Sequence, residues 1–215
     1  MNSACKAFVI GIVGAESTGK SRLAAQLRDA LAVEGQPVAL VEEYVREFCD
    51  RHGRTPRRDE QQAIADEQTR RIAAAAEGHD IVVADTTALM IAVYSQWVFG
   101  DRSLYDSALS GHQRCDLTIL TALDIPWQPD GLQRDGAHVR EPVDDLLRSA
   151  LQGHGLAYAV VGGLGPARLA AAQAATERAR GVPSSLAVAT TPARWQWRCE
   201  RCGDADCERH LLPRP

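Results

Sequence analysis

The chain contains no apolar run near the ~20 residues that cross a bilayer, so no membrane-spanning helix is expected. Its first residues, Met1 to Lys6, lack the charged-then-apolar pattern and small-residue cleavage site of a secretory signal. Ala7 to Val13 is apolar, but it runs straight into a glycine motif and reads as a strand. The expected compartment is the cytoplasm. Positive charge is not in excess either: 24 Lys and Arg stand against 28 Asp and Glu, a formal net charge of -4. That disfavours a grip on nucleic acid by the whole surface, which needs many Lys and Arg contacts to phosphate, and leaves open only a local basic patch. Internal repeats are missing, as are low-complexity blocks beyond alanine-rich helices. What is present is ordinary for a folded domain, 45% hydrophobic and 24% charged over 215 residues, which excludes wholesale disorder. That length is one domain, or one domain plus a tail, and folding buries roughly 70% of the surface of such a chain.

Strand-like and helix-like segments alternate along it. Short apolar runs at Phe8–Val13, Val38–Val41, Ile81–Ala84, Leu117–Leu120 and Ala157–Val161 read as strands. Between them, helical periodicity is seen at Lys20–Val33, from Thr55-Pro56 to about Ala76, at Thr86–Phe99, at Pro142–Leu151 and at Pro166–Arg180. The pattern predicts an α/β fold: a parallel five-stranded sheet with helices on both faces. The expected division is a main domain over 1–180, a Pro/Ser/Thr/Ala linker over 181–193 and a cysteine-bearing tail over 194–215.

Gly14-Ala15-Glu16-Ser17-Thr18-Gly19-Lys20-Ser21 fits G-x-x-x-x-G-K-[ST] at every fixed position, between a buried strand and a helix. Glycines let the backbone curl so that successive N–H groups point at phosphate oxygens, and the helix N-terminus adds its positive end. Lys20 would reach the β- and γ-phosphates of ATP, and Ser21 would ligate Mg²⁺. As a plain first-turn lysine, Lys20 would gain nothing from the helix dipole. The strand Ile81–Ala84 ends in Asp85, the place of the Mg²⁺-directed carboxylate in such proteins; Asp85 or Thr86 could equally cap the next helix. These features predict a P-loop NTPase.

No Asn-Lys-x-Asp guanine reader follows the fourth strand, and the chain is short for a large ATPase, so a small-molecule kinase suits it. Glu42-Glu43-Tyr44-Val45-Arg46-Glu47-Phe48 follows the second strand, at the sheet edge where ligands bind. It could grip a polar substrate and accept a hydroxyl proton, or merely open a charged helix. The connection from Asp124 to Glu141 carries two prolines, two glycines, Arg134 and Arg140. A long segment of this kind in a small domain suggests a lid whose arginines stabilise a transferring phosphoryl group. His138 reads as an exposed side chain.

Together, the Glu-Ser inside the phosphate loop, Glu43-Tyr-x-Arg-Glu47, the apolar strand ending in Asp85-Thr86, and Pro126-Trp-x-x-Asp-Gly-Leu-x-Arg134 resemble the kinase domain of bacterial NadR proteins. The resemblance covers about Phe8 to Arg180. It implies a nucleoside/nucleotide kinase fold, use of ATP, and transfer to the 5′-hydroxyl of nicotinamide riboside. It also implies that Trp127, Asp130, Tyr44 and Arg46 lie by the nucleoside, where a Trp face is the best cation–π partner for a pyridinium ring. Either Glu43 or Asp85 would stand nearest the hydroxyl. Two departures are visible. Only seven residues precede the first strand, so no adenylyltransferase domain is expected before it. Thr87 stands where the family leads one to expect a third-position Asp.

The tail holds Cys199-x-x-Cys202-x₄-Cys207-x-x-His210, four donors of the kind that hold Zn²⁺ tetrahedrally. With no open position such a metal would be structural and would order a short segment; without a metal the tail is a basic, Trp-containing extension. The other cysteines, Cys5, Cys49 and Cys115, are scattered. The sequence therefore reads as a cytoplasmic P-loop kinase for a nucleoside, against two rivals: a nucleotide-binding switch whose zinc tail contacts a partner, and a tail that binds nucleic acid. Oligomeric state is not legible in it.

Overall fold

In the computed structural model, the described residues are 6–32, 35–128 and 136–181. They form five strands and seven α-helices. In chain order these are β1 (Phe8–Val13), α1 (Lys20–Ala32), β2 (Val38–Val41), α2 (Tyr44–His52), α3 (Gln61–Gly78), β3 (Ile81–Asp85), α4 (Ala88–Phe99), α5 (Tyr105–His112), β4 (Leu117–Thr121), α6 (Arg140–Gly153), β5 (Ala159–Val161) and α7 (Gly165–Arg180). The sheet is wholly parallel, in the order β2-β3-β1-β4-β5.

The two-residue period of the strands sorts the core. Ile10 and Ile12 of β1, Ile81 and Val83 of β3 and Ile119 of β4 pack with Leu23, Leu27 and Leu31 of α1 and Ala172 of α7. Alternate residues face the other way. Val9, Val82 and Ala84 meet Ile72 and Ala76 of α3, while Val13 and Leu120 meet Leu89, Val93, Val143 and Leu147 of α4 and α6. Helices on both faces explain why the strands are apolar throughout rather than alternating.

Two helical expectations change. Tyr105–His112 forms a helix that its sequence, with Ser and Gly inside, does not advertise; it is held by burial of Ala108, Leu109 and His112. Thr55-Pro56 does not start α3. Arg54 grips Glu60 with two bonds of 2.7 and 2.6 Å, and Glu60 also takes the Arg57 N–H at 2.8 Å. The carboxylate thus ties back the chain before it, a 3₁₀ turn covers Arg58–Glu60, and the α-helix begins at Gln61. No helix among the described residues is long and apolar enough to cross a membrane.

Candidate active site

The loop from β1 to α1 lies at the carboxyl end of the central strand. Gly14 has φ +148°, and a Cβ there would stand 2.1 Å from Thr121 Oγ1, so only glycine fits between β1 and the end of β4. Thr18 is wholly buried; its hydroxyl donates to Ala15 O at 2.8 Å and lies 2.7 Å from Thr121 Oγ1. Ser17 has φ +54°. Lys20 Nζ donates to Ala15 O at 2.9 Å, which keeps the ammonium over the loop.

Asp85 ends β3 beside this loop and is 4% exposed. Burial raises its pKa; the Ser21 hydroxyl and the charges of Lys20 and Arg46 oppose the rise, and Glu42 adds to it. Asp85 Oδ1 is buried with no hydrogen-bond partner among the described residues. A partnerless carboxylate oxygen beside a serine hydroxyl is hard-oxygen chemistry, which fits Mg²⁺.

Thr86, next in line, has φ +77°, a rare conformation for a β-branched residue. Its N–H donates to Ile12 O at 3.0 Å and its carbonyl accepts from Gln68 Nε2 at 3.3 Å, so the sheet and α3 hold it there. The strain sits at the wall of a cavity of about 440 Å³ that starts at the phosphate loop. Glu16, Ser17 and Lys20 line its inner end. Glu43 comes from the N-cap of α2, Arg46 and Cys49 from α2 itself, Arg57 and Arg58 from the approach to α3, Gln61 from its first position, and Met90, Ile91, Tyr94 and Phe99 from α4.

Of the residues expected to contact substrate, Glu43 and Arg46 line this cavity, 3.6 Å apart as an ion pair. Tyr44 does not line it: its ring lies under the Arg71 guanidinium at 4.3 Å, and its N–H donates to Gln68. Trp127 is half-buried and donates from Nε1 to Glu16 at 3.0 Å, against the loop and not among the cavity-lining residues. Glu16 also accepts the Gly136 N–H at 3.1 Å, and Ser17 Oγ accepts the Gln128 N–H at 2.8 Å. Two of the four variable positions of the phosphate loop, Glu16 and Ser17, thus hold Gly136 and Gln128. Arg140 is buried at the start of α6, with Nε and Nη2 unpartnered among the described residues. Asp130, Arg134 and the Cys199, Cys202, Cys207 and His210 set lie outside the described residues. No cluster able to hold a metal among three or more His, Cys, Asp or Glu occurs within them.

Sequence reasoning missed the cavity's far wall. Arg57 and Arg58 belong to a connection, and α4 is apolar on all sides, so neither advertises which side chains face a ligand. The available signal was positional and held for α4 alone, which follows β3 at its carboxyl end, where ligands sit in parallel sheets; Arg57 and Arg58 follow a helix.

A parallel sheet in this order, with G-x-x-x-x-G-K-S at the end of its central strand and a buried Asp at the end of its neighbour, defines a P-loop nucleotide-binding fold. More narrowly, the chain belongs to the AAA domain family, whose model matches residues 9–168. No curated protein matches its sequence. Among solved structures it is similar to a NadR protein in complex with NAD and AMP-PNP, with TM-score 0.63, 19% identity and coverage of 83% of this chain and 51% of that one. A NadR protein in complex with NR gives TM-score 0.65 and 18% identity, with coverage of 82% and 52%. Thymidylate kinase from Ehrlichia chaffeensis gives TM-score 0.54 and 15% identity, with coverage of 75% and 89%. The chain thus shares the fold of these proteins and spans about half the length of the NadR chains.

Proposed function

We propose that the protein transfers the γ-phosphoryl group of ATP to the 5′-hydroxyl of a nucleoside, with nicotinamide riboside as the first acceptor to try. One observation carries this reading: the phosphate loop opens directly into a cavity of nucleoside size whose lining beyond the loop includes the carboxylate of Glu43 and the guanidinium of Arg46. A switch that only holds ATP has no use for such a cavity. Lys20 and the loop amides would hold the phosphates, and Ser21 with Asp85 would hold Mg²⁺, which would supply charge neutralisation between phosphates. Glu43 rather than Asp85 faces the acceptor, because Glu43 lines the cavity and Asp85 is buried beside Ser21. Its role is to orient the hydroxyl and receive its proton; the loose transition state asks more of positioning than of base strength. Arg140, and Arg134 outside the described residues, are the arginines for the transferring group. The NR complex of a NadR protein supports the choice of nucleoside.

A second reading has its own support. Besides Lys20, the cavity carries Arg46, Arg57 and Arg58 against Glu16 and Glu43. Arg58 pairs with Asp101 at 2.9 Å, but Arg57 stands 3.7 Å from a Glu60 that Arg54 already grips. A guanidinium so placed favours an acceptor with its own anionic group, such as a nucleoside monophosphate.

The test is product detection by mass after incubation with ATP, Mg²⁺ and a panel of nucleosides and nucleoside monophosphates, with Lys20→Ala alongside. Nicotinamide mononucleotide made by the wild type alone supports the first reading, and a nucleoside diphosphate the second. No phosphorylated product, with ATP still bound, refutes both and favours a nucleotide-binding switch.

A further inference from the structure

Arg168 lies in α7, 150 positions beyond the phosphate loop, yet it is 5% exposed and its side chain ends on that loop. Nη2 donates to the carbonyl of Thr18 at 2.7 Å. Nη1 donates to Asp124 Oδ1 and to Gly163 O, each at 3.0 Å. The other Asp124 oxygen accepts the Gly163 N–H. Burial works to raise the Asp124 carboxyl, and the Gly163 N–H and Arg168 outweigh it, so the carboxyl sits below its usual range. One guanidinium therefore joins the phosphate loop, the end of β4 and the turn after β5.

A trans peptide points its C=O and the next N–H in opposite directions, and this chain has no cis peptide among the described residues. Fixing Thr18 O on Arg168 fixes the Gly19 N–H in the opposite direction within the same peptide plane. Thr18 cannot choose this orientation alone: its side chain is committed to Ala15 O and Thr121 beneath the loop, and Gly19, with φ +75°, has no Cβ to restrict it. We infer that Arg168, braced by Asp124 and Gly163, is a positioning residue that aims the Gly19 amide into the phosphate cradle and so sets affinity for the polyphosphate of the nucleotide.

The inference rests on the reading of Gly14–Ser21 as a phosphate loop, not on the identity of the acceptor. Its test uses the full chain and two probes, inorganic tripolyphosphate and ATP with Mg²⁺, titrated calorimetrically into wild type, Arg168→Gln, Arg168→Lys and Asp124→Asn. Arg168→Gln is expected to raise both dissociation constants about ten- to hundredfold, the range for losing a charged hydrogen bond. Arg168→Lys, which keeps the charge but reaches one carbonyl rather than two, falls between. Asp124→Asn gives a smaller rise in the same direction. With an acceptor in hand, KM for ATP rises and KM for the acceptor stays. Should Arg168→Gln fail to fold, Arg168→Lys and Asp124→Asn decide the matter. Variants that melt earlier but bind tripolyphosphate as tightly as wild type overturn the inference and leave Arg168 a purely structural residue. A wild type that binds no tripolyphosphate overturns it as well. A wild type that binds it but phosphorylates nothing refutes the kinase reading alone.

Discussion

The phosphate end and the acceptor end of the cavity are built from different materials. At the phosphate end the ties beneath the loop are buried: Thr18 on Thr121, Arg168 on Thr18 O, and Gly14 pressed against β4. At the acceptor end the ties are ion pairs near the surface, among them Arg54–Glu60 and Arg58–Asp101, with Arg57 and Arg58 each about two-thirds exposed. Buried polar networks fix one geometry and are damaged by any single deletion, whereas exposed pairs contribute little to stability and can be exchanged. Changes to the buried ties of the first end should therefore damage binding and folding together, and changes at the second should redirect the acceptor while leaving the fold alone.

Lys20→Ala probes the contrast most strongly. Its ammonium is the one positive side-chain charge rooted in the loop itself, and its loss should lower phosphoryl transfer about 10³-fold, or ~4 kcal/mol, with little effect on melting because it is not one of the buried ties. Coupled-assay rates and a thermal melt of the same preparation check both halves. Gly14→Ala should act on both at once. A Cβ there meets Thr121 Oγ1 at 2.1 Å, and the backbone is one that L side chains rarely adopt. A loss of about 2–4 kcal/mol is expected, together with loss of nucleotide binding, since Thr121 also supports Thr18. Denaturant unfolding with and without ATP would measure it. An alanine variant as stable as wild type would break the claim that this end is rigid.

A third buried group lies behind the site. His112 is 2% exposed and spans two threonine hydroxyls, Thr87 through Nδ1 and Thr118 through Nε2, each at 2.9 Å. Burial pushes its pKa down from 6.5 to about 4. The unfolded chain therefore takes up a proton near pH 6.5 while the folded one does not until about pH 4. Its contribution is whole above pH 6.5 and is lost as pH falls to 4, about 3 kcal/mol across the window at 1.36 kcal/mol per unit. His112→Asn should be less stable at pH 7.5 and show a flatter fall between pH 6.5 and 5 in urea midpoints; an unchanged slope would remove His112 as the cause.

That histidine also explains a feature the sequence presents as a gap. Thr87 stands where a carboxylate is expected, and in the fold its hydroxyl is spent on a neutral His112 in the core. A carboxylate there would be buried against that ring. The pairing joins α4 to α5, a helix with little periodic signal, so nothing near Thr87 in sequence announces it. The phosphate loop was legible for the opposite reason: strand, glycines, Lys20 and helix are contiguous, and each has a local cause. The central strands β1, β3 and β4 were legible because burial on both faces makes them largely apolar, and the edge strands β2 and β5, only partly buried, because they are short runs of Val, Ala and Leu. Trp127 shows the limit of reading a residue type alone. An aromatic face can stack on a base, but its N–H needs a partner when buried, and Glu16 supplies one. The cavity wall could not be read because it is assembled from four separated segments.

The mildest change tests the acceptor end. Arg57 lines the cavity, and its nearest carboxylate, Glu60, already accepts two bonds from Arg54 and one from the Arg57 N–H. Arg57→Ala removes a largely exposed guanidinium and none of those bonds, so the melting temperature and KM for ATP should be unchanged. If the acceptor carries an anionic group, its KM should rise about fivefold to twentyfold, the range for an exposed to half-buried charged contact, and the rise should shrink as salt is added. If the acceptor is a cationic nucleoside, the same variant should leave KM unchanged or lower it, because a like charge has been taken from the wall. The sign of this small shift separates the two acceptor classes, and a variant that instead lost stability would show that the two ends of the cavity are not built as differently as their burial implies.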